Sequence, residues 1–191
     1  MALAGGAFVA LLGYYTSKEP MPIIKVDVTE ADREALTEKW VQFHEEVTGG
    51  RPTAPFKASP KELNVFFSML PRYRDRIHLS RAENRMRAEI SRPLDPVLPL
   101  IGKGRYLNAA GTFDVRLGAD GLPRVEIVSA HVNGKRLPRW LERQLGRKEL
   151  HQDIFHVLGG AACLGQLKSI EIRDGFVVIT PLNSGSSQEE Q

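Results

Sequence analysis

The chain has 191 residues, of which 42% are hydrophobic and 26% are charged. These values are typical of a globular protein, and the length suits one domain that buries a sizeable core. The single cysteine, Cys163, excludes an internal disulfide, a CxxC redox site and a zinc knuckle.

Charge is distributed unevenly, although the net charge is only +3. Residues 18–46 hold eight acidic and four basic side chains, and residues 135–149 hold six basic and two acidic ones. Residues 72–92 hold seven arginines against three acidic side chains. Such asymmetry attracts phosphate, whether of a lipid or of a nucleic acid. The simpler interpretation is a solvated strand face and a solvated helix face.

The N-terminal stretch, residues 2–15 (ALAGGAFVALLGYY), is apolar and uncharged. As a helix it would be about 21 Å long, whereas the hydrocarbon core of a bilayer is about 30 Å thick and takes ~20 helical residues to cross. It lacks the basic start and the A-x-A cleavage site of a secretory signal. It resembles the outer half of a signal anchor, with Tyr14 and Tyr15 at the interface and Lys18 beyond. We predict a signal-anchor-like segment, residues 1–17, whose apolar helix protrudes from the domain. A buried N-terminal helix or strand is the alternative.

Two amphipathic helices are predicted next, joined by a Pro-rich link at residues 51–58. Thr29 with Asp32 marks the start of the first helix, which ends at residues 49–50. Ser59, Pro60 and Glu62 mark the start of the second, which ends before residue 71. The expected inward faces are Leu36, Trp40, Phe43 and Val47 in the first helix, and Leu63, Phe66, Phe67 and Leu70 in the second.

Alternating apolar residues predict three β-hairpins. The expected turns are Glu83-Asn84, Ala119-Asp120-Gly121 and Asp174-Gly175. Asn84 is expected to take the positive φ of the first turn. The second hairpin covers residues 106–117 and 124–132, and its apolar pattern changes phase, which predicts a bulge near Ile127.

Between the second and third hairpins, Asn133-Gly134 is predicted to turn the chain into a basic helix, which a second helix follows. Their inward residues are Leu137, Trp140, Leu141, Leu145, Leu150, Ile154, Val157, Leu158 and Ala161. The fold class is therefore α+β: an antiparallel curved sheet of three hairpins packed on amphipathic helices, with an N-terminal apolar helix. Residues 18–182 form this single domain, and residues 183–191 form a disordered polar tail.

The sequence contains no catalytic, metal or nucleotide motif that fits its expected spacing. His151 and His156 are five residues apart, so they do not stack on one helix face as paired metal ligands do. Cys163 is seven residues from His156, about two helical turns, which is too far for a thiol–imidazole hydrogen bond. Residues 102–104 (GKG) lack the preceding glycine and the following Ser/Thr of a P-loop. We predict no enzyme activity, no cofactor and no metal site.

The order of these pieces resembles a protein family. The apolar start, the helix SPKELNVFF (residues 59–67) and the segments NGKRLP (133–138) and RDGFVVI (173–179) are similar to small membrane-anchored bacterial envelope proteins of the YpmS kind. The resemblance implies an extracytoplasmic domain at the cell membrane, with a curved sheet that wraps a helix and can hold lipid. It carries over no functional residue.

The expected function is a non-catalytic, membrane-anchored domain of the cell envelope that binds lipid. A sheet curved round a helix leaves an apolar groove, and arginines at its rim can hold a phosphate head group. The candidate lipid-binding residues are Phe66, Phe67, Phe113, Trp140, Phe155, Arg76, Arg81, Arg85, Arg87 and Arg105. In the alternative interpretation these aromatic side chains only fill the core.

Two other functions stay open. One is a protein-interaction or scaffolding module of the envelope. The other is nonspecific nucleic-acid binding, but Tyr73 is the only aromatic residue among the arginines of residues 72–92, so no stacking platform is evident. We expect the membrane as a partner through the N-terminal segment, a lipid or an envelope protein as a second partner, and no specific nucleic acid.

Overall fold

The computed structural model describes residues 14–71, 73–95, 103–139 and 163–184. Within them lie two helices, α1 (Glu30–Thr48) and α2 (Pro60–Met69), and eight strands. The strands are β1 (Phe56–Ala58), β2 (Ile77–Ala82), β3 (Arg85–Pro93), β4 (Tyr106–Leu117), β5 (Pro123–Val132), β6 (Lys135–Arg136), β7 (Leu167–Arg173) and β8 (Phe176–Pro181). Every strand pair is antiparallel, so the predicted α+β class with an antiparallel sheet is confirmed.

The sheet forks at its longest strand, β4. Strand β5 pairs along one edge of β4, and β3 pairs with the opposite edge at residues 106–113. Beyond residue 113, β4 no longer pairs with β3. There Arg116 pairs with Glu171, so β7 takes the place of β3 along the same edge of β4. One branch of the fork is β3–β2, and the other is β7–β8–β1. Helix α2 contacts the last strand of each branch, β2 and β1.

Both helices begin where the sequence predicts, at capping boxes. The hydroxyl of Thr29 accepts a hydrogen bond from the backbone N–H of Asp32, whose carboxylate accepts one from the Thr29 N–H in return. Ser59 and Glu62 repeat this exchange at the start of α2. The start signals in the sequence were therefore sufficient, because each cap satisfies N–H groups that the first turn of a helix leaves unpaired.

The inward face of α2 differs from the predicted stripe. The buried residues of α2 are Asn64 and Val65, while Leu63, Phe66 and Phe67 are only half-buried. Asn64 turns inward because its amide binds the outer edge of β2. Its Nδ2 donates to the Leu79 carbonyl at 2.8 Å, and the Leu79 N–H donates to its Oδ1 at 2.7 Å. The face of α1 is confirmed, with Phe43 and Val47 buried and Leu36 and Trp40 packed beside them.

The three predicted turns are confirmed, with one correction in the first. There Glu83 takes the positive φ of 55°, and Asn84, for which it was predicted, does not. A two-residue turn of type II′ needs positive φ at its first central position only. In the second hairpin, Thr112 lies opposite Ser129 and the next pair skips to Ile127, which confirms the bulge predicted near that residue.

Two short strands lie where the sequence predicts none. Strand β1 falls inside the Pro-rich link and pairs with β8, with Phe56 opposite Ile179. The Asn133-Gly134 turn leads into β6, not directly into a helix, because Lys135 pairs back with Val132. Strands of two and three residues are too short for an alternating pattern to reveal. The two helices predicted over residues 137–161 lie mostly outside the described residues, as does the apolar helix predicted for residues 2–15.

Many of the buried apolar residues form two clusters. The larger cluster packs α1 against the β7–β8–β1 branch and includes Phe43, Val47, Phe56, Ile170 and Ile179. The smaller cluster comprises Ala130, Val132 and Leu137, with Tyr15 packed against it. The contact of Tyr15 means that the chain is already part of the domain at the end of its apolar N-terminal stretch.

Candidate functional site

The N-terminal strap, residues 16–28, is bound to the central strands. Ser17 and Tyr106 form a two-bond antiparallel bridge, with N···O distances of 3.0 and 2.7 Å. The buried Asn108 then accepts a hydrogen bond from the Met21 N–H at 2.9 Å and donates one to the Glu19 carbonyl at 2.9 Å. Further along the strap, residues 24–26 and 28 line a small pocket together with residues of α2, of β2 and of the loop between them.

The entry point of the chain into the domain is fixed by three side chains. Arg105 Nε donates to Thr16 Oγ1 at 2.5 Å, and Asn133 Nδ2 donates to the Thr16 carbonyl at 3.3 Å. Lys135 Nζ donates to the Tyr14 carbonyl at 3.2 Å and lies 3.2 Å from the centre of the Tyr14 ring. The loop before β4 and the turn after β5 thus hold Tyr14 at one end of the sheet.

We call this region the basic end. Its basic residues are Lys18, Lys103, Arg105, Lys135, Arg136 and Arg139. The sequence did not predict it, because it predicts a turn at Asn133-Gly134 that leads directly into a basic helix, and nothing in that pattern places Lys135 beside the N-terminal strap. The contacts of Tyr14 and Thr16 with residues about 90 to 120 positions away show that the N-terminal strap meets the loop before β4 and the turn after β5.

The aromatic residues predicted to bind lipid lie in different elements. Phe66 and Phe67 contact each other on α2, with ring centres 5.3 Å apart, and Phe67 contacts Tyr73 at 5.4 Å. Phe113 lies on β4, opposite Met86 on one side. Trp140 and Phe155 lie outside the described residues. The structure thus brings Phe66 and Phe67 together, whereas Phe113 belongs to the central strand.

The arginines predicted to bind a head group are also dispersed. Arg81 lies against the turn of the third hairpin, where a Cβ on Gly175 would meet its Cγ at 2.5 Å. Arg87 forms an ion pair with Glu89 at 3.2 Å. Arg105 belongs to the basic end. The remaining two are Arg76, which is half-buried, and Arg85, which is exposed at the start of β3.

Four of the arginines on the strands form ion pairs with nearby carboxylates. The ion pairs are Arg87–Glu89, Arg116–Glu126, Arg124–Asp120 and Arg173–Glu171. The hydrogen bond from Arg124 holds the pKa of Asp120 below its usual value. Exposed pairs of this kind contribute little to stability. They do reduce the positive potential that an anionic partner would meet on this part of the sheet.

An open cavity of about 250 Å³ lies between α1 and β1. The rings of Phe43 and Phe56 line it, and Lys39 crosses its rim. The Lys39 ammonium donates to the Lys57 carbonyl at 2.6 Å and lies 4.9 Å from the centre of the Phe56 ring. None of the candidate lipid-binding residues within the described ranges lines this cavity.

The displaced pKa values have structural causes: bonded partners for Asp32 and burial for Cys163. Hydrogen bonds from Lys61 and Thr29 hold the pKa of Asp32 well below its usual value. Burial raises the pKa of the Cys163 thiol, which disfavours the thiolate that a nucleophile needs. Among the residues that the structure describes, no group of three or more His, Cys, Asp or Glu side chains could hold a metal ion.

Neither helix of the described ranges has the length and apolarity that a bilayer crossing requires. No protein-family model matches the sequence, and no curated protein or solved structure shows significant similarity to it.

Proposed function

We propose that this chain is a non-catalytic, membrane-anchored domain of the cell envelope that binds lipid, with the domain on the extracytoplasmic side. In this proposal residues 2–13 of the apolar stretch form a helix that inserts into the bilayer, while Tyr14 and Tyr15 stay in contact with the domain. The observation that carries the proposal is the junction: an uncharged apolar stretch ends at Tyr15, and contact with the sheet begins at its last two residues, Tyr14 and Tyr15, and continues at Thr16.

The junction is suited to holding a domain at a surface. Arg105 and Asn133 bind Thr16, and Ser17 bridges Tyr106, so no free linker separates residue 15 from the sheet. Tyrosine side chains favour the level of the lipid head groups, and the exposed ring of Tyr14 lies at this junction. An inserted apolar stretch would therefore fix which end of the domain is close to the membrane.

The non-catalytic part of the proposal rests on the roles of the ionisable groups. Asp32 and Asp120 have lowered pKa values because each is bonded to a neighbouring cation on the surface. Catalytic acids and bases differ, because burial and converging charges tune their pKa values toward the operating pH. Hydrogen bonds that stabilise the fold account for the lowered pKa values of Asp32 and Asp120, so these values do not point to a catalytic role.

A protein-interaction module is the second candidate. Strand β1 is the last strand of its branch, and the open cavity lies alongside it with the Phe56 ring in its wall. An extended segment of a partner can add to such an edge and place a side chain in the cavity. The Lys39 ammonium, which binds the Lys57 carbonyl, would have to move aside.

Native mass spectrometry of the full chain extracted from membranes tests the lipid part. The proposal predicts adducts of phospholipid mass on the folded protein, and fewer anionic adducts after Arg85→Gln, which removes an exposed candidate head-group ligand. Arg51→Gln, an equal charge change at the exposed end of α1, is the control and should leave the adducts unchanged. A spectrum free of lipid would contradict lipid binding and favour the protein-interaction module.

A further inference from the structure

Basic side chains outnumber acidic ones around the entry point of the chain. The described segments that meet there, residues 14–19, 94–95, 103–106 and 133–139, contain the six basic residues of the basic end and two acidic residues, Glu19 and Asp95. Asp95 is turned toward its own loop, where its Oδ1 accepts the Gly104 N–H at 3.0 Å. The basic end therefore carries excess positive charge on a small part of the surface.

Four arginines elsewhere on the sheet differ, because a carboxylate offsets each of them. The strand arginines at positions 87, 116, 124 and 173 each have a carboxylate beside them. At the basic end, Lys18, Lys103 and Arg136 are exposed, and none of the three belongs to an ion pair within the described residues. Phosphate-bearing surfaces attract such exposed cations, and Arg and Lys side chains bind phosphate oxygens directly.

The apolar stretch joins the domain at the same place. Tyr14 is its penultimate residue, and the Tyr14 ring is 52% exposed with Lys135 Nζ above its face. Tyrosine rings and lysine amines both favour the head-group level of a bilayer. Because Tyr14 and Thr16 are bonded to Lys135 and Arg105, residues 2–13 leave the domain at the basic end, and this end is the part of the domain nearest to a membrane that receives them.

We propose that the basic end docks on the bilayer and binds the phosphates of anionic phospholipids, which sets the orientation of the domain on the membrane. This inference rests on the membrane anchoring proposed above and adds the lipid class and the surface that meets it. Each cation that reaches the surface strengthens docking about fivefold. The attraction falls off within a Debye length, so it weakens in high salt.

Lysine acylation on vesicles tests the inference residue by residue. The full chain is bound to vesicles of phosphatidylcholine alone, or of phosphatidylcholine with phosphatidylglycerol, and the acylation rate of each lysine is followed by mass spectrometry. We expect Lys18, Lys103 and Lys135 to react several-fold more slowly on the anionic vesicles, and to recover at high ionic strength. Lys57 and Lys168 are internal controls, because they lie on the β7–β8–β1 branch, which joins β4 at its other end.

A charge variant provides a second measurement. Arg136→Gln removes one exposed cation of the basic end, and about fivefold more anionic lipid should then be needed to protect Lys103. Arg51→Gln removes an exposed cation just after the end of α1 and should leave the protection of Lys103 unchanged. Equal effects of the two variants would overturn the inference, since only total charge would then matter.

The outcomes separate this inference from the anchoring. If the chain binds both kinds of vesicle and Lys103 reacts equally on each, the basic end does not bind anionic lipid, and the anchoring stands. If the chain does not bind neutral vesicles but binds anionic ones, and Lys103 is protected on them, docking through the basic end is supported and anchoring through the apolar stretch is contradicted.

Discussion

Two buried asparagines connect separate parts of the molecule. Asn64 binds both backbone groups of Leu79 at the outer edge of β2, so a side-chain amide takes the place that a neighbouring strand would occupy. Asn108 binds the strap at Met21 and accepts a hydrogen bond from the Ser91 hydroxyl at 2.8 Å. Buried amides of this kind are costly unless they are fully bonded, so both residues specify a particular arrangement of the chain.

Replacing Asn64 by alanine should destabilise the domain. The Leu79 N–H and carbonyl would lose their partners in a buried place, which costs about 1–3 kcal/mol of the free energy of unfolding. Helix propensity alone predicts the opposite sign, because alanine favours a helix more than asparagine does. Urea unfolding monitored by circular dichroism measures the change. An Asn64→Ala variant as stable as the natural chain would show that the edge of β2 does not depend on this amide.

The role of Asn64 could not be predicted from the sequence. Apolar periodicity assigns a polar helical residue to the outward face, so Leu63, Phe66 and Phe67 were expected to point inward. The partner of Asn64 is a strand edge 15 residues away, which no local pattern describes. The candidate lipid residues Phe66 and Phe67 were chosen from that same stripe, and their half-buried positions follow from the rotation of α2 toward Asn64.

At the scale of elements, the two helices are joined through their caps. Asp32 of the first capping box binds Lys61 of α2 at 2.8 Å, and Glu62 of the second binds Lys39 of α1 at 2.5 Å. Partial burial raises the pKa of Glu62, but hydrogen bonds from Lys39 and Ser59 outweigh it, and the pKa is lowered. Each carboxylate thus stabilises the start of its own helix and the contact between the helices.

This coupling predicts how stability changes in acid. Both folded pKa values lie below their unfolded values, so the stabilisation is present above about pH 4.5 and is lost as the pH falls through the folded values. The variant Asp32→Asn/Glu62→Gln should be less stable than the natural chain at neutral pH and converge with it in acid. The melting temperature measured across pH tests this.

A control variant removes an equal number of negative charges, both of them from α1. Glu38→Gln/Glu45→Gln changes exposed carboxylates outside the capping boxes, and should shift the melting temperature less at neutral pH. A constant difference between the capping variant and the natural chain at every pH would contradict the ionic account.

The turn of the third hairpin lies against Arg81, so we expect a side chain at position 175 to destabilise the domain. Gly175 and Gly134 share a φ of +74°, but a Cβ on Gly175 would meet Arg81 Cγ at 2.5 Å, whereas one on Gly134 would meet nothing within 4 Å. Gly134→Ala should therefore cost about 1 kcal/mol for its backbone conformation alone. Gly175→Ala should cost more, and adding Arg81→Ala should remove the excess. Equal costs at the two glycines in urea unfolding would show that the hairpins do not press together.

The hairpins themselves were predictable, and their assembly was not. Asp174-Gly175 marks a tight turn because both of its residues accept positive φ, which is a local property. The fork at β4 depends on Arg116 meeting Glu171, residues that no local pattern relates. Strand β1 forms because its three residues pair with the edge of β8. This pairing is not visible in the sequence, which indicates only a Pro-rich link at these residues.

At the scale of the whole molecule, the candidate site is made of segments that are distant in sequence. Tyr14 and Lys135 are separated by 121 positions, and Thr16 and Arg105 by 89. The sequence predicts an apolar start and clustered basic residues, but not that they meet. Their meeting gives the molecule one end where an apolar stretch, an exposed tyrosine and excess positive charge coincide.

The central claim is that residues 2–13 hold the domain at a membrane. A chain that starts at residue 20 would also lose the Ser17–Tyr106 bridge and the contacts of Thr16, so the deletion should remove residues 2–13 only. A full-length control, Leu11→Asp/Leu12→Asp, keeps the length but places charge in the apolar stretch, which opposes insertion.

Membrane fractionation of the full chain, the deletion and the charged control is the decisive measurement. The full chain should stay in the membrane pellet after a high-salt wash, because an inserted apolar stretch does not depend on charge. The deletion and the charged control should move to the supernatant, with the same urea midpoint as the full chain. Equal distribution of all three between pellet and supernatant would contradict the anchoring.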